Sequence, residues 1–299
     1  MNISSYMPVD VFYGKNALLE NGKELKKLGS RCLIVTSPTA AKKSGALDDA
    51  VKVLSQEGIE YEIFDRIEEN PLTSTCHSAG TAAYEFKADF ILGIGGGSPL
   101  DASKAIAVFA SNRHMEPDDI YTAEIKNTPL PAALVGTTAG TGSEVTAVSV
   151  LTNSKTGFKK GVGGKAYYAK VAFCDPSYTS SMPYSVTVST ALDAMAHALE
   201  SILCLDANDM SDLYAYKAVE LLTEGLQRLD KIHSAEEINE DTRDLLYTAS
   251  LIAGYSLNIT GTCFPHTVGY ILTERFNIPH GRACAAFTPE FLERGRKHM

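Results

Sequence analysis

Length, composition and charge already limit the classes to which this chain can belong. At 299 residues it is long enough for two domains, and its 44% hydrophobic and 21% charged content is ordinary for a soluble globular protein. The net charge of −9 argues against nucleic-acid binding, because no basic stripe is present to neutralise phosphates. The sequence has neither a signal-peptide pattern nor a bilayer-spanning stretch, and its six cysteines lack framework spacing. We therefore expect a cytoplasmic protein that binds neither nucleic acid nor membrane.

The first half of the chain alternates strand-like and helical segments. Apolar runs predict four strands, at residues 31–37, 60–66, 88–95 and 131–138, and helical patterns separate them. The run ADFILGIG is almost entirely apolar, as expected of a strand buried on both faces. This alternation predicts a Rossmann-like, parallel α/β sheet.

From about Met182 onward the pattern changes to long helices without convincing strands. A segment rich in Pro, Ser and Tyr at 175–185 marks the expected boundary. We expect an α/β domain over residues 1–180 and an all-α domain over residues 181–299.

A glycine-rich turn follows the third predicted strand. The glycines at 95–97 would let an anion approach the backbone closely, with Ser98 as the expected N-cap and Asp101 completing a capping box. The helix N-terminus would then favour a pyrophosphate. Taken alone, the turn fits a strand-to-helix connection without any ligand equally well.

A second loop, GTTAGTGSEVT at 136–146, strengthens the nucleotide interpretation. Its hydroxyl side chains can bind phosphate or ribose, and its glycines keep the backbone low. Both loops come at the carboxyl ends of predicted parallel strands, which is where open α/β sheets bind ligands. Two such loops favour nucleotide binding over plain polar connections.

Four residues in the second half form a candidate metal site. Asp193 and His197 are spaced i, i+4, which places them on one face of a helix, and His266 and His280 follow downstream. Imidazole and carboxylate ligands suit Fe²⁺ or Zn²⁺, and a metal with a free coordination position polarises an alcohol or carbonyl oxygen. Each residue alone could be an interior histidine, a surface carboxylate or a turn residue. The metal site is therefore inferred from the four residues together.

In this order, the motifs resemble those of the iron-containing (group III) alcohol dehydrogenases. The matching segments are ENP (69–71), GGGSPLDASKAI (95–106), TTAGTGSE (137–144), DPSYTSSMP (175–183), LDAMAHALE (192–200) and IPHG (278–281). The resemblance implies an NAD(P)-linked alcohol dehydrogenase or aldehyde reductase that acts on a small alcohol or aldehyde. It also implies that the α/β domain binds the dinucleotide, that the all-α domain binds the metal, and that the protein is a homodimer.

The resemblance also assigns roles to individual positions. It implies that Asp193, His197, His266 and His280 are the catalytic metal ligands, for Fe²⁺ or alternatively Zn²⁺. The implied cofactor-binding residues are Asn70, Gly96, Gly97, Ser98, Thr137, Thr138, Thr141 and Lys160, with Lys159 as the alternative to Lys160.

Two positions depart from the pattern of many members. Ser37 ends the first predicted strand where an aspartate is common, and Lys42 and Lys43 follow it, so a 2′-phosphate is favoured and we expect NADP(H) rather than NAD(H). Tyr270 replaces a histidine that is suspected of relaying a proton, and it could serve either packing or chemistry.

Alternatives remain open for the whole chain. It ends shortly after His280, whereas family members usually continue through more helices, so it is either a fragment or a short member. A glycerol-type polyol dehydrogenase, or a lyase similar to dehydroquinate synthase, is an alternative function within a related fold. A truncated, non-catalytic nucleotide-binding chain is the alternative from another class.

Overall fold

A computed structural model describes residues 5–296. By its internal contacts, the chain separates into two compact units. The α/β unit comprises Pro8–Thr137 and Ala147–Tyr178. Within the described residues, the helical unit comprises residues 5–7, Thr138–Thr146 and residues 179–296. The segment Thr138–Thr146 thus lies with the helical unit, although it precedes the predicted boundary at residue 180.

The α/β unit is built on a parallel sheet of six strands in the order β1-β8-β5-β4-β2-β3. Its strands are β1 (Asp10–Tyr13), β2 (Arg31–Thr36), β3 (Glu60–Phe64), β4 (Phe90–Gly95), β5 (Ala132–Gly136) and β8 (Val171–Cys174). An antiparallel hairpin joins β6 (Val148–Thr152) to β7 (Lys159–Gly163). The predicted parallel α/β fold is confirmed, and four of the six sheet strands are those predicted from the sequence.

The central strands are buried on both faces. Leu33 and Val35 of β2 belong to one hydrophobic cluster, whereas Cys32 and Ile34 of the same strand belong to another. Because successive side chains of a strand point to opposite faces, each layer takes alternate residues. This double burial explains why the strand sequences are continuously apolar.

Helices cover this sheet and connect its strands. They are α1 (Ala17–Asn21), α2 (Lys23–Lys26), α3 (Ala40–Lys43), α4 (Ala46–Gln56), α5 (Thr73–Phe86) and α6 (Gly97–Ser111), with short 3₁₀ turns at Pro117–Tyr121, Lys165–Tyr167 and Pro176–Thr179. The chain goes from β2 outward to β3 and then returns to β4 on the other side of β2. The carboxyl ends of β2 and β4 therefore form the switch point at which such sheets bind ligands.

The start of α6 differs from the sequence-based expectation. Gly96 is the N-cap, α6 begins at Gly97, and no side chain caps it, so the prediction of Ser98 as N-cap is wrong. Asp101 does not complete a capping box either, because its carboxylate accepts a hydrogen bond from the backbone N–H of Val150 at 2.8 Å.

Asp101 and Lys104 instead attach the β6–β7 hairpin to α6. The ammonium group of Lys104 is fully buried and donates to the carbonyl of Val148 at 2.8 Å, with Asp101 Oδ1 at 3.6 Å. The hydroxyl of Ser149 donates to the Asp101 carbonyl at 2.7 Å. Asp101 and Lys104, one turn apart on α6, thus both hold strand β6.

The helical unit contains the predicted long helices. They are α7 (Tyr184–Leu203), α8 (Asp209–Leu229) and α9 (Glu240–Thr260). The shorter helices α10 (Phe264–Phe276), α11 (His280–Ala285) and α12 (Thr288–Arg296) follow them. Asn208 and Asn239 cap α8 and α9 through their side chains. Over the described part of the chain, no helix is both long and apolar enough to cross a membrane.

The buried charges at the hairpin lead to a stability prediction. Replacing Asp101 with Ala removes the carboxylate beside a buried ammonium, so we expect the free energy of unfolding to fall by about 3 kcal/mol. Chemical denaturation would measure it. Glu220, which pairs with Lys217 at the same i, i+3 spacing on the surface, is the control, and Glu220→Ala should change little. Equal effects of the two substitutions would contradict the prediction.

Candidate functional site

One face of α7 carries the first two predicted metal ligands. Asp193 and His197 lie one helical turn apart and are both buried, with 4% and 5% of their surface exposed. Such burial of a carboxylate beside an imidazole is costly unless both groups are compensated. Their position on a long helix gives them a rigid support.

Two short helices bring the other two histidines to Asp193. His266 lies in the first turn of α10, and His280 is the first residue of α11. Asp193 Oδ1 is 3.4 Å from Nε2 of His266 and 3.7 Å from Nε2 of His280. Two imidazole nitrogens therefore face one carboxylate oxygen.

The glycine after His280 makes this convergence possible. A Cβ on Gly281 would lie 1.8 Å from the carbonyl oxygen of Ser189 and 2.8 Å from the backbone nitrogen of Asp193. Any side chain there would therefore force α11 away from α7 and carry His280 away from Asp193. The glycine of the IPHG segment is thus required by packing.

His197 lies against this group, while a cysteine that the sequence analysis did not single out belongs to it. The rings of His197 and His266 stack with centroids 4.5 Å apart. The donor atoms of Asp193, His266, His280 and Cys284 all lie within 4.8 Å of one another, and these four residues could hold a metal ion. Cys284 follows His280 by one helical turn, which is the only sequence signal for it.

The electrostatics of the cluster suit a cation. Burial alone would raise the pKa of Asp193, but the neighbouring His197, His280 and His266 outweigh it and lower that pKa. Burial lowers the pKa of His197, which favours neutral imidazole, the form that binds metals. Burial also raises the pKa of the Cys284 thiol, which favours its neutral form. Asp193 and His197 thus favour the protonation states that bind a metal ion.

Three buried polar atoms of the cluster lack hydrogen bonds within residues 5–296. They are Asp193 Oδ1, His197 Nδ1 and His266 Nε2. Unsatisfied buried polar atoms are rare and costly, and here three of them come from three of the predicted ligands. A divalent cation is the group that would satisfy such a set, so the residues fit a metal centre.

A second buried carboxylate stands behind His266. Glu200 Oε1 lies 2.5 Å from Nδ1 of His266, and Oε2 accepts a hydrogen bond from the backbone N–H of Cys263 at 2.6 Å. Burial alone would lower the pKa of His266. The contacts of its ring with Asp193, Cys284 and Glu200 outweigh burial and raise that pKa. The sequence contained one signal for Glu200, since it follows His197 at i+3 on the same helix face.

In the α/β unit, two predicted cofactor-binding segments lie together. The backbone N–H of Asn70, which has a positive φ of 55°, donates to Ser98 Oγ at 3.3 Å. Gly96, Gly97 and Ser98 follow the end of β4, and the N–H of Thr137 donates to the carbonyl of Gly95 at 2.9 Å. The predicted residues at the ends of β4 and β5 are therefore neighbours.

Thr138 and Thr141 belong to the segment that lies with the helical unit. There Gly142, with a φ of +60°, is so close to α9 that a Cβ would lie 2.5 Å from Gly254 Cα. Gly142 is therefore required by the close packing of this loop on α9, in addition to any role in binding a ligand.

The remaining predicted cofactor residues occupy two places in the α/β unit. Ser37 follows the end of β2 and is half-buried, and Lys42 and Lys43 are exposed at the end of α3. Lys160 lies on β7, where its ammonium group stands 5.5 Å from the ring centroid of Tyr121.

Tyr270, the second departure from the family pattern, contacts a predicted ligand. Its ring stacks on that of His280 with centroids 5.3 Å apart and an interplanar angle of 15°. Tyr270 therefore packs against the imidazole.

Comparison with known proteins identifies the chain at family level. Residues 8–176 match the model of the iron-containing alcohol dehydrogenases, and residues 187–298 match the C-terminal model of the Fe-containing alcohol dehydrogenase family. The matches cover both structural units.

Individual relatives agree with these family models. The chain is 35% identical to a sulfoacetaldehyde reductase of Bilophila wadsworthia, over 96% of this chain and 74% of that protein. It is 30% identical to an NADPH-dependent butanol dehydrogenase of Clostridium saccharobutylicum, over 96% and 72%. The crystal structure of an iron-containing alcohol dehydrogenase of Thermotoga maritima superimposes with a TM-score of 0.87 at 40% identity, over 94% of this chain and 76% of that one. The chain belongs to the iron-containing alcohol dehydrogenase family, a family of NAD(P)-dependent oxidoreductases.

Proposed function

We propose that this chain interconverts a small alcohol and its aldehyde with NADP(H), at a metal centre formed by Asp193, His197, His266 and His280. The observation that carries the proposal is the set of buried ligand atoms without hydrogen bonds on Asp193, His197 and His266. Fe²⁺ is the expected ion, and Zn²⁺ is the alternative, since affinity in such a site rises towards zinc. The family match favours this activity over the lyase alternative.

The residues of the chain have separate tasks in this proposal. A bound metal ion supplies Lewis acidity and a bound nicotinamide supplies hydride exchange. Asp193 would contribute the one negative charge that holds the cation. Neutral imidazoles add no charge, so a bound divalent ion would keep a net positive charge. Helices α7, α10 and α11 carry these groups, and the burial of Asp193, His197 and His266 keeps water away from their ligand atoms.

The glycine turn after β4 and the threonine loop after β5 are proposed to bind the dinucleotide. Gly96, Gly97 and Ser98 lie at the start of a 15-residue helix, whose free N–H groups and dipole favour a pyrophosphate. Asn70, Thr137, Thr138, Thr141 and Lys160 complete the proposed set. The position of the turn at the switch point of the sheet supports this assignment.

We also propose His197 rather than Cys284 as the fourth ligand. The Nδ1 atom of His197 has no hydrogen-bond partner in the described chain, and an imidazole is a ligand in its neutral form. Cys284 Sγ lies 3.8 Å from Nε2 of His280. In this proposal the thiol lines the site and does not bind the ion.

Cytoplasmic location and a homodimer are further proposals. None of the six cysteines forms a disulfide in the structure, which is what a reducing compartment favours. The dimer rests on the family resemblance alone.

The activity is tested by NADPH and NADH oxidation with a short aliphatic aldehyde, before and after chelation. We expect chelation to abolish turnover and Fe²⁺ or Zn²⁺ to restore it, because the ligand atoms need a cation to act on the substrate oxygen. NADPH should be the better substrate. Nucleotide binding without turnover under any metal would overturn the proposal and favour the non-catalytic alternative.

The ligand set is tested by comparing His197→Ala with Cys284→Ala. Removal of a ligand should weaken Co²⁺ binding by at least about 100-fold, whereas removal of a lining thiol should change it by only a few fold. Equilibrium dialysis measures both, with circular dichroism to verify folding. The reverse ranking would assign the fourth position to Cys284.

The cofactor preference is tested by Ser37→Asp. A carboxylate at the end of β2 repels a 2′-phosphate and accepts hydrogen bonds from ribose hydroxyls, so the ratio of kcat/KM for NADPH to that for NADH should fall at least about tenfold. The control is Ser55→Asp, which adds the same charge on α4. A ratio that is unchanged by Ser37→Asp would contradict the role of Ser37.

A further inference from the structure

We propose that Glu200 is a positioning residue for the metal centre, holding the His266 ring so that its Nε2 atom faces the ion. The inference rests on the proposed ligand set and adds to it a residue that does not itself bind the metal. It concerns the α7–α10 contact inside the helical unit.

The geometry supplies the first argument. Glu200 is fully buried, with 0% of its surface exposed. One carboxylate oxygen lies 2.5 Å from His266 Nδ1, and the other accepts from Cys263 N at 2.6 Å. Cys263 is the N-cap of α10, the helix that carries His266. A single carboxylate thus holds both the start of the helix and the ring of the ligand.

The direction of the ring supplies the second argument. With Nδ1 held by Glu200, the other nitrogen, Nε2, lies 3.4 Å from Asp193 Oδ1 and has no hydrogen bond among the described residues. A proton kept on Nδ1 leaves the lone pair on Nε2, where the cation would be. Carboxylates behind metal-bound histidines act in this way in other metal sites.

Both oxygens of Glu200 are engaged by donors, and this distinguishes Glu200 from a ligand. It also explains why glutamine is a poor replacement. The amide of glutamine can offer its oxygen to only one of the two donors, and its NH₂ group would then face the other. A buried donor opposed to a donor carries the full cost of an unmade hydrogen bond.

The experiment is Co²⁺ titration of Glu200→Gln beside the wild-type protein. Cobalt serves as a spectroscopic probe, because its absorption bands report the geometry of the ligands. We expect about 10- to 100-fold weaker Co²⁺ binding and altered bands, since ring and helix are no longer held. The control is Glu144→Gln, which removes another buried carboxylate of the helical unit, bonded to the hydroxyl of Tyr247 at 2.9 Å. It should bind Co²⁺ as the wild type does.

Asp193→Ala separates the two proposals. If Asp193→Ala binds Co²⁺ as tightly as the wild type, the ligand set itself is wrong. If Asp193→Ala loses Co²⁺ while Glu200→Gln binds it with unchanged affinity and bands, only the positioning role is overturned. A lower thermal unfolding temperature of Glu200→Gln with normal Co²⁺ binding also overturns it, because that is the result of a purely structural contact.

A measurement on the wild type keeps the proposal testable if the variant does not fold. In zinc-loaded protein with ¹⁵N-labelled histidine, His266 should carry its proton on Nδ1 and the metal on Nε2. The opposite arrangement would overturn the role of Glu200.

Discussion

The helical unit depends on the burial of one carboxylate. Asp193 has 4% of its surface exposed, and a buried charge of this kind is retained only where opposite charge or hydrogen bonds compensate it. The compensating groups come from three helices: His197 from α7 itself, His266 from α10 and His280 from α11. Nε2 of His266 and Nε2 of His280 lie 3.4 Å and 3.7 Å from Asp193 Oδ1, so α10 and α11 both come close to α7. The approach of α11 to α7 requires a glycine at position 281.

The same burial leads from packing to function. Imidazoles can compensate Asp193 as cations or as ligands of a shared cation. Burial lowers the pKa of His197 and opposes its protonation, so the cluster cannot place a proton on every ring without cost. In the proposed metal centre, one divalent ion would satisfy the carboxylate and the imidazoles together. Glu200, with both of its oxygens engaged, leaves His266 only one nitrogen for that ion.

Sequence patterns predict the strands and helices whose residues follow a regular pattern of burial. They miss contacts between residues that are far apart in the sequence. The central strands were predictable because both of their faces are buried, whereas β1 and β8 have only four residues each and escaped notice. The Ser98 cap was wrong because α6 already begins at Gly97, and the Ser98 hydroxyl accepts a hydrogen bond from the backbone N–H of Asn70, 28 residues away. The i, i+4 spacing indicated Asp193 and His197. Glu200 lies on the same helix face, but its partner is 66 residues away, so spacing alone gave it no role.

Exposure is uneven across the cluster, and this bears on where a substrate could reach it. The side chain of His280 is 25% exposed, whereas those of His266 and Asp193 are only 3% and 6% exposed. The accessible side of the cluster is therefore that of His280, the residue on which Tyr270 stacks. A residue at position 270 thus lies beside the open edge of the cluster, while the buried edge is held by Glu200.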